Sequence, residues 1–446
     1  MQQDDMKILA GCRSASAENF GIIGSMRNES IALVSLGCAK NAVDLQVMSG
    51  NLVKQGCTLS PDPDRADVVI VNTCAFIASA REEAEAEICR ALELKRRGQY
   101  GRVIVTGCYP QRYPKAQARF PGVDEWIGVP QEWVEPRMPA LRFTGKAFAY
   151  LKIAEGCAHR CAYCAIPSIR GKYRSRPMAS ILREAKALVA SGCRELNVVA
   201  QDPMLWRERK AGKAGADGAC WTLPDLLWKL DRIPGQFWVR VLYSYPSEIT
   251  ADFLRWMLQA KHAVRYVDVP LQHTVPEILV RMNRRVAVEA SQVAAEALRE
   301  CVPGITLRTT VMTGFPGESE PRFRRLLADL RRMQFDHLGA FAFSPERGTK
   351  AAKMGGRPSR AVAEAREKAV MEQQERIWRC KARRMVGNEY EALVVAPGVA
   401  RMASQAPDVD GVVYLKDAAK RPAEVGEFIR VRLTKAKGFD FIGEQT

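Results

Sequence analysis

Long apolar runs are missing from this 446-residue chain. None approaches the ~20 residues needed to cross a bilayer, and the most apolar stretches, such as Val68 to Val71, have the length of a strand. No membrane partner is therefore expected. The N-terminus, Met1-Gln2-Gln3-Asp4-Asp5, carries neither a basic stretch nor a long apolar segment, so no secretory signal is expected and the cytoplasm is the expected compartment. Internal repeats are also missing. With 47% hydrophobic and 26% charged residues, 32 Gly and 24 Pro, collagen-like, coiled-coil and wholly disordered chains are excluded, and two or three domains are expected.

Thirteen cysteines and a formal charge of +17 stand out against these absences. In a chain without an export signal, so many cysteines point to metal binding or catalysis rather than to disulfides, because cytosolic thiol pools keep such pairs reduced. The charge is uneven: residues 321–385 hold 17 basic and 7 acidic side chains, or +10 of the total. That segment suits either a solvated helical face or an RNA, ribosome or acidic-protein partner.

Residues 1–29 lack sustained periodicity and read as a loose extension. From Ile31 onward the pattern alternates. Ile31 to Leu36, Val68 to Val71 and Val103 to Thr106 read as strands, with helices over Ala42 to Gln55 and Ser79 to Arg97, which predicts a parallel-sheet α/β domain over 30–140. A connector around Pro136 to Gly145 precedes a second alternation. Strands are expected at Tyr150 to Ile153, Leu196 to Ala200, Phe237 to Tyr243, Tyr266 to Val269, Thr306 to Met312 and Leu338 to Phe343, giving a (β/α)6 partial barrel over 141–380. Chemistry in such sheets gathers beyond the carboxyl ends of the strands. Over 381–446, Tyr390 to Val395, Gly411 to Leu415 and Phe428 to Leu433 read as short strands of a small all-β barrel.

Two cysteine sets occupy those strand ends. Cys157, Cys161 and Cys164, in Glu155-Gly156-Cys157-Ala158-His159-Arg160-Cys161-Ala162-Tyr163-Cys164, space three thiolates on one loop, which suits a 4Fe–4S cluster with one iron left open. A zinc loop is the alternative, but zinc usually closes with four ligands and no well-spaced fourth is present. Cys38, Cys74 and Cys108 each follow a predicted strand and are separated by 36 and 34 residues. On adjacent parallel strands they fall on one sheet edge, where they converge on a second cluster or serve only as packing residues. Gly37 and Gly107 give the backbone room for close approach. The other seven, Cys12, Cys57, Cys89, Cys193, Cys220, Cys301 and Cys380, are expected to be packing residues or incidental.

The C-x3-C-x-aromatic-C loop, with Tyr163 as its aromatic, resembles the signature of radical S-adenosylmethionine enzymes. Both cysteine sets in this order, with the terminal β-barrel, resemble the methylthiotransferases over more than 400 residues. This likeness implies an N-terminal domain with an auxiliary cluster, a radical S-adenosylmethionine barrel and a TRAM domain. Ser35-Leu36-Gly37-Cys38-Ala39-Lys40-Asn41, Asn72-Thr73-Cys74-Ala75-Phe76-Ile77 and Ile166-Pro167-Ser168-Ile169-Arg170-Gly171 are similar to the ribosomal-protein branch. That branch implies methylthiolation of the β-carbon of an aspartate in small-subunit ribosomal protein twelve, using two 4Fe–4S clusters, two S-adenosylmethionine molecules and an electron donor. Cys157, Cys161 and Cys164 are then the catalytic cluster ligands, and Cys38, Cys74 and Cys108 the auxiliary ones. Tyr163 is expected beside the adenine, and the terminal barrel and basic segment in possible contact with RNA.

Further barrel residues follow from their places after strands. Val311-Met312-Thr313-Gly314-Phe315-Pro316-Gly317-Glu318 resembles the family's adenine-flanking turn, so Gly314 and Gly317 are expected at the cofactor. Gln201 and Asp202 are expected at cofactor or substrate, or as a loop cap. Arg240, Tyr243 and Arg308 are expected at the same mouth, with Arg308 pairing with the cofactor carboxylate. His273 reads as a structural histidine or a site residue. Pro203-Met204-Leu205-Trp206, Asp44-Leu45-Gln46 and Phe343 depart from the family pattern near the mouth. Two other functions fit parts of the sequence: methylthiolation of a tRNA adenosine, favoured by the TRAM domain and basic segment, and a noncatalytic iron–sulfur protein that binds RNA or the ribosome.

Overall fold

The computed structural model describes residues 26, 28–129, 136, 141–210, 220–284, 295–416 and 422–446. Almost all of the expected N-terminal extension, with Cys12, and part of the 136–145 connector lie outside them. Residues up to 143, with 155–159 and 164–176, form one compact unit; 144–154, 160–163 and 177–446 form a second.

In the first unit, five parallel strands are ordered Thr58–Leu59, Ser30–Ser35, Ala66–Thr73, Tyr100–Gly107 and Glu125–Ile127. Ala66–Thr73 is central, so both of its faces are covered and Val68, Val69, Ile70 and Val71 are all fully buried. That is why the sequence there runs apolar without alternation. The pleat still sorts the side chains: Val68 and Ile70 pack with Leu45, Met48 and Leu52 of helix Ala39–Lys54. Val69 and Val71 pack on the other face with Ala84, Ile88 and Ala91 of helix Ala78–Arg96. The two outer strands, Thr58–Leu59 and Glu125–Ile127, are too short to register as periodic runs.

The second unit begins with six parallel strands in chain order. Phe148–Lys152, Glu195–Val199 and Trp238–Val241 form one sheet, and Tyr266–Asp268, Thr306–Thr313 and His337–Ala342 another. An isolated parallel bridge joins Val239 of the first sheet to Ala263, shortly before strand Tyr266–Asp268 of the second. The expected Phe237 to Tyr243 strand stops at Val241 because Tyr243 takes φ +70°, outside strand geometry. Helices Glu320–Met333 and Arg360–Met385 carry most of the basic segment. Much of that charge meets acids of the same surface, as in Arg324–Glu320, Arg325–Asp329, Arg360–Glu364 and Arg379–Glu375.

The last five strands close a barrel in the order Glu389–Ala396, Val399–Met402, Val413–Leu415, Asp440–Gln445 and Phe428–Lys437. Its interior holds Ala392, Val394, Met402, Val413, Val431, Leu433 and Phe441, with Trp378 of the preceding long helix closing one side. The Trp378 indole N–H donates to the Gly438 carbonyl at 2.8 Å. Val399–Met402 and Asp440–Gln445 were not expected from the sequence. No helix among the described residues is long and apolar enough to cross a membrane.

Candidate functional site

Within the first unit, Cys38, Cys74 and Cys108 come together at the carboxyl edge of three neighbouring strands. Gly37 makes this possible: at φ +94° its α-carbon lies so close to the Ala66–Thr73 strand end that a Cβ would stand 2.6 Å from the Cys74 Cβ and 3.1 Å from its sulfur. Gly107, at φ +98°, is pressed as closely on Asn72 and the Thr73 carbonyl. A side chain at Gly37 would have to move Cys74, and one at Gly107 would have to move Asn72 and Thr73, next to Cys74.

The three thiols differ in electrostatics. Cys38 caps the N-terminus of helix Ala39–Lys54 and is open to solvent on one side. Enough protein surrounds it that desolvation raises its pKa, yet Lys40, Arg170 and the backbone N–H groups of Asn41 and Lys40 bring the thiol below its ordinary value. Burial pushes Cys74 up, against hydrogen bonds from the Phe76 and Ala75 amides. Cys108 is pushed up to about 12, again by burial, with Arg170 opposing. A thiol must lose its proton to bind metal, and of the three the surroundings favour the thiolate at Cys38 and oppose it at Cys74 and Cys108.

Asn41 braces this edge. Its amide Nδ2 donates to the Thr73 carbonyl at 2.9 Å and the Leu36 carbonyl at 3.3 Å. Its Oδ1 turns toward Arg170 and the Cys108 thiol. Arg170 is buried, and its Nη1 donates to Asp44 and to Glu155, each at 2.9 Å. Sequence reasoning assigned no role to Asn41, Arg170 or Glu155, although the first two lie inside the stretches quoted for the family likeness.

Of the second cysteine loop, 155–159 and 164–176 belong to the first unit and 160–163 to the second. In the first, Gly156 at φ +75° leaves no room for a side chain, since a Cβ would meet the Lys172 carbonyl oxygen at 2.2 Å. The Cys157 N–H donates to the Gly171 carbonyl at 3.3 Å, and the Ile166 N–H to the Cys164 sulfur at 3.4 Å. In the second unit, the Ala162 N–H bonds the Met282 carbonyl at 2.9 Å. Arg284 donates to the Cys161 sulfur at 3.7 Å and to the Pro270 carbonyl at 2.7 Å while its guanidinium lies 4.3 Å from the Tyr245 ring centroid. Tyr163 packs edge-on against Phe315, with centroids 6.4 Å apart, and Phe315 against Phe343 at 5.2 Å. Arg284 gave no sequence signal, being one basic residue in a polar turn.

Gly314, at φ +71°, and Gly317, at φ +92°, follow strand Thr306–Thr313 as expected. A Cβ on Gly314 would stand 2.2 Å from that of Ala363. Buried Glu318 clamps the turn: its carboxylate accepts from the Gly314 N–H at 3.0 Å, from Arg366 at 2.8 Å and from His273 at 3.2 Å. His273 is structural. Its Nδ1 accepts from the Val275 N–H at 3.0 Å, which assigns the proton to Nε2, whose N–H donates to the Glu318 carboxylate. Asp202 likewise caps its own loop, accepting from the Met204 N–H at 3.0 Å, while Gln201 stands directly beyond strand Glu195–Val199.

Arg308 and Arg240 have partners within the protein that the sequence did not indicate. Arg308 is engaged by Asp268 at 3.2 Å and Asp410 at 3.4 Å, so its charge is already matched inside the protein. Arg240 is fully buried and pairs with Glu195 at 2.8 Å, giving its remaining N–H groups to the Ala403 and Gln405 carbonyls. Both guanidiniums serve the loop that follows strand Val399–Met402.

Every described cysteine is a free thiol. Cys57 and Cys193 spend theirs on the Met26 and Glu195 carbonyls, as packing residues do. Among the described residues no three His, Cys, Asp or Glu side chains already stand in metal-ligand contact. The donor sets nonetheless fit iron–sulfur clusters: thiols alone, in threes, with glycines giving access and guanidinium N–H groups facing sulfur.

Residues 30–128 match a family described as uncharacterized protein family UPF0004, 151–330 the radical SAM superfamily and 386–445 the TRAM domain. The ribosomal protein uS12 methylthiotransferase RimO of Moorella thermoacetica is 41% identical over 439 residues, covering 93% of this chain and 99% of its own length. Those of Syntrophus aciditrophicus and Geobacter sulfurreducens are each 38% identical, over 455 and 453 residues, covering 94% of this chain and 99% of theirs. The chain belongs to the RimO methylthiotransferase family. It is a radical S-adenosylmethionine transferase that uses 4Fe–4S clusters and S-adenosylmethionine. Its fold is also similar to that of the radical S-adenosylmethionine methyltransferase TsrM from Kitasatospora setae, solved with cobalamin and a [4Fe-4S] cluster. The TM-score is 0.52 at 17% identity, over 73% of this chain and 77% of that one.

Proposed function

We propose that this chain methylthiolates the β-carbon of an aspartate in small-subunit ribosomal protein uS12, with Cys157, Cys161 and Cys164 holding the catalytic cluster and Cys38, Cys74 and Cys108 the auxiliary one. The observation that carries this reading is end-to-end likeness to uS12 methylthiotransferases together with two thiol triads at strand ends. When bound, the clusters and two S-adenosylmethionine molecules supply a carbon radical able to break an unactivated C–H bond, and the sulfur and methyl group to be transferred.

The chain's own residues hold and orient. Lys40, Arg170 and the helix N-terminus favour the Cys38 thiolate, and Arg284 keeps an N–H on Cys161. Glu318 fixes the Gly314 turn by its backbone amide. Tyr163, Gln201, Gly314 and Gly317 are the residues assigned to S-adenosylmethionine. Arg308 is left to its two carboxylates. An electron donor, a cytoplasmic location and domains divided at 30–140, 141–380 and 381–446 belong to the same reading. RNA contact is assigned to the terminal barrel, where Arg430, Arg432, Lys435 and Lys437 stand exposed on one strand.

Mass spectrometry of uS12 from cells with and without the gene tests the substrate, with tRNA nucleosides run alongside. A methylthio group on a uS12 aspartate that disappears with the gene is the expected result. Loss of a methylthio group from a tRNA adenosine, with uS12 unchanged, overturns the reading.

A further inference from the structure

Arg170 is a cation with almost no water: 2% of its side chain is exposed. Its two terminal nitrogens face different chemistry. Nη1 is taken up by the Asp44 and Glu155 carboxylates, both at 2.9 Å. Nη2 faces the Asn41 Oδ1 and the Cys108 sulfur, the latter at 3.5 Å. Because the Asn41 amide donors are spent on the Thr73 and Leu36 carbonyls, its oxygen is fixed toward Arg170. The guanidinium is therefore held from three directions, with one N–H edge directed at sulfur. A side chain placed only for packing does not need two carboxylates and a fixed amide to aim it.

Its position in the chain adds a second relation. Glu155 stands two residues before Cys157, and Arg170 six after Cys164. The same ion pair thus closes the base of the second cysteine loop while its other edge touches the first thiol triad. Cluster potential depends on hydrogen bonds to the ligating sulfurs and on nearby charge. A guanidinium N–H on a ligand sulfur stabilises the reduced cluster, which carries one more negative charge.

We propose that Arg170 is a positioning residue that raises the reduction potential of the auxiliary cluster through its Nη2–H to Cys108, with Asp44, Glu155 and Asn41 as the frame that aims it. The inference rests on the reading that Cys38, Cys74 and Cys108 hold that cluster.

The test uses the full chain with Cys157, Cys161 and Cys164 all replaced by Ala, reconstituted anaerobically so that only the auxiliary cluster loads. Iron and sulfide are counted, and the midpoint potential is read by electron paramagnetic resonance during a redox titration. In this background Arg170→Gln, which keeps the length and a neutral donor but removes the charge, is expected to retain the cluster and shift the midpoint negative. Arg170→Lys is expected to fall between, since an ammonium keeps the charge without the fork. Equal potentials in the triple-Ala background and in both Arg170 variants of it, at equal iron content, overturn the proposal. If Arg170→Gln fails to fold by circular dichroism, Arg170→Lys decides alone: a negative shift supports the proposal, while an unchanged potential or a second folding failure makes Arg170 a structural residue and overturns it. A background protein that binds no iron even with Arg170 present refutes the ligand assignment itself, an outcome distinct from an unmoved potential.

Discussion

The Tyr266 hydroxyl donates to the Asp410 carboxylate at 2.7 Å. Tyr266 opens a strand of the six-stranded arc, whereas Asp410 ends the irregular segment that follows strand Val399–Met402 of the terminal barrel. The same carboxylate accepts from the Ala406 N–H at 2.8 Å and faces Arg308 at 3.4 Å and His337 at 3.5 Å. Around it, Tyr150 donates to Asp408 at 2.5 Å and the His337 Nε2–H to the Ser404 carbonyl at 2.8 Å. A polar seam of this kind stabilises only while every member keeps its partners.

Removing Asp410 takes away one of the two carboxylates of Arg308, the carboxylate facing His337 and the acceptor of the Tyr266 hydroxyl at once. Asp410→Ala is expected to cost ~3–5 kcal/mol, the range for breaking a buried charged network. Tyr266→Phe removes one hydrogen bond and leaves the carboxylate other donors, so ~1 kcal/mol is expected. Urea unfolding followed by near-ultraviolet circular dichroism measures both. Equal losses would mean that the hydroxyl, not the charge, anchors the segment.

Glu195 gives this seam a pH dependence. Burial pushes its carboxyl up, but Arg401 and Arg240, both hydrogen-bonded to it, hold it below the ordinary carboxylate range. A pKa lower in the folded than in the unfolded chain means stability that is complete above the unfolded value of about 4.3 and lost as pH falls through the folded one. Urea midpoints taken from pH 7 down to pH 3.5 are expected to drop below about pH 4.3, and Glu195→Gln to flatten that drop. A decline equally steep in the variant assigns the acid sensitivity to other carboxylates.

How much of this was legible in the sequence depends on what a one-dimensional pattern can carry. Val68 to Val71 announced a central strand because burial on both faces leaves an unbroken apolar run. The gathering of Cys38, Cys74 and Cys108 on one sheet edge was legible because a strand's end fixes which edge the next residue occupies, and Gly37 and Gly107 marked close approach there. The internal partners of Arg240 and Arg308 were not legible, for a related reason. Period-two alternation tells which face of a strand a residue occupies, but not that the segment between Met402 and Asp410, which has no periodicity, supplies the acceptors. Asn41 and Arg170 are 129 residues apart, and no local signal carries that distance.

Gly314 tests whether its turn is held by sterics. Alanine at φ +71° costs ~1–2 kcal/mol for the left-handed backbone. Overpacking against Ala363, only 2.2 Å from the new Cβ, adds ~1–3 kcal/mol. Gly314→Ala is expected to lower the calorimetric unfolding temperature by several degrees and to weaken S-adenosylmethionine binding in the loaded protein. Ala363→Gly in the same chain is expected to recover part of both. Wild-type stability in Gly314→Ala would show that the turn relaxes away from the Arg360–Met385 helix.

Iron content separates the two thiol triads. If each holds a 4Fe–4S cluster independently, Ala at Cys157, Cys161 and Cys164 leaves about half the iron, and so does Ala at Cys38, Cys74 and Cys108. The two half-loaded proteins are not expected to behave alike. The variant lacking Cys157, Cys161 and Cys164 should fail to cleave S-adenosylmethionine, because the three thiols that would hold the cofactor-binding cluster are gone. The variant lacking Cys38, Cys74 and Cys108 should still cleave the cofactor under reducing conditions but add no sulfur to uS12. Iron and sulfide analysis, with chromatographic detection of 5′-deoxyadenosine, distinguishes these cases. Full iron in either triple variant removes that triad from the ligand set. Cleavage lost in both makes the triads one cooperative centre, which the Arg170 bridge between Cys108 and the base of the second loop would then have to explain.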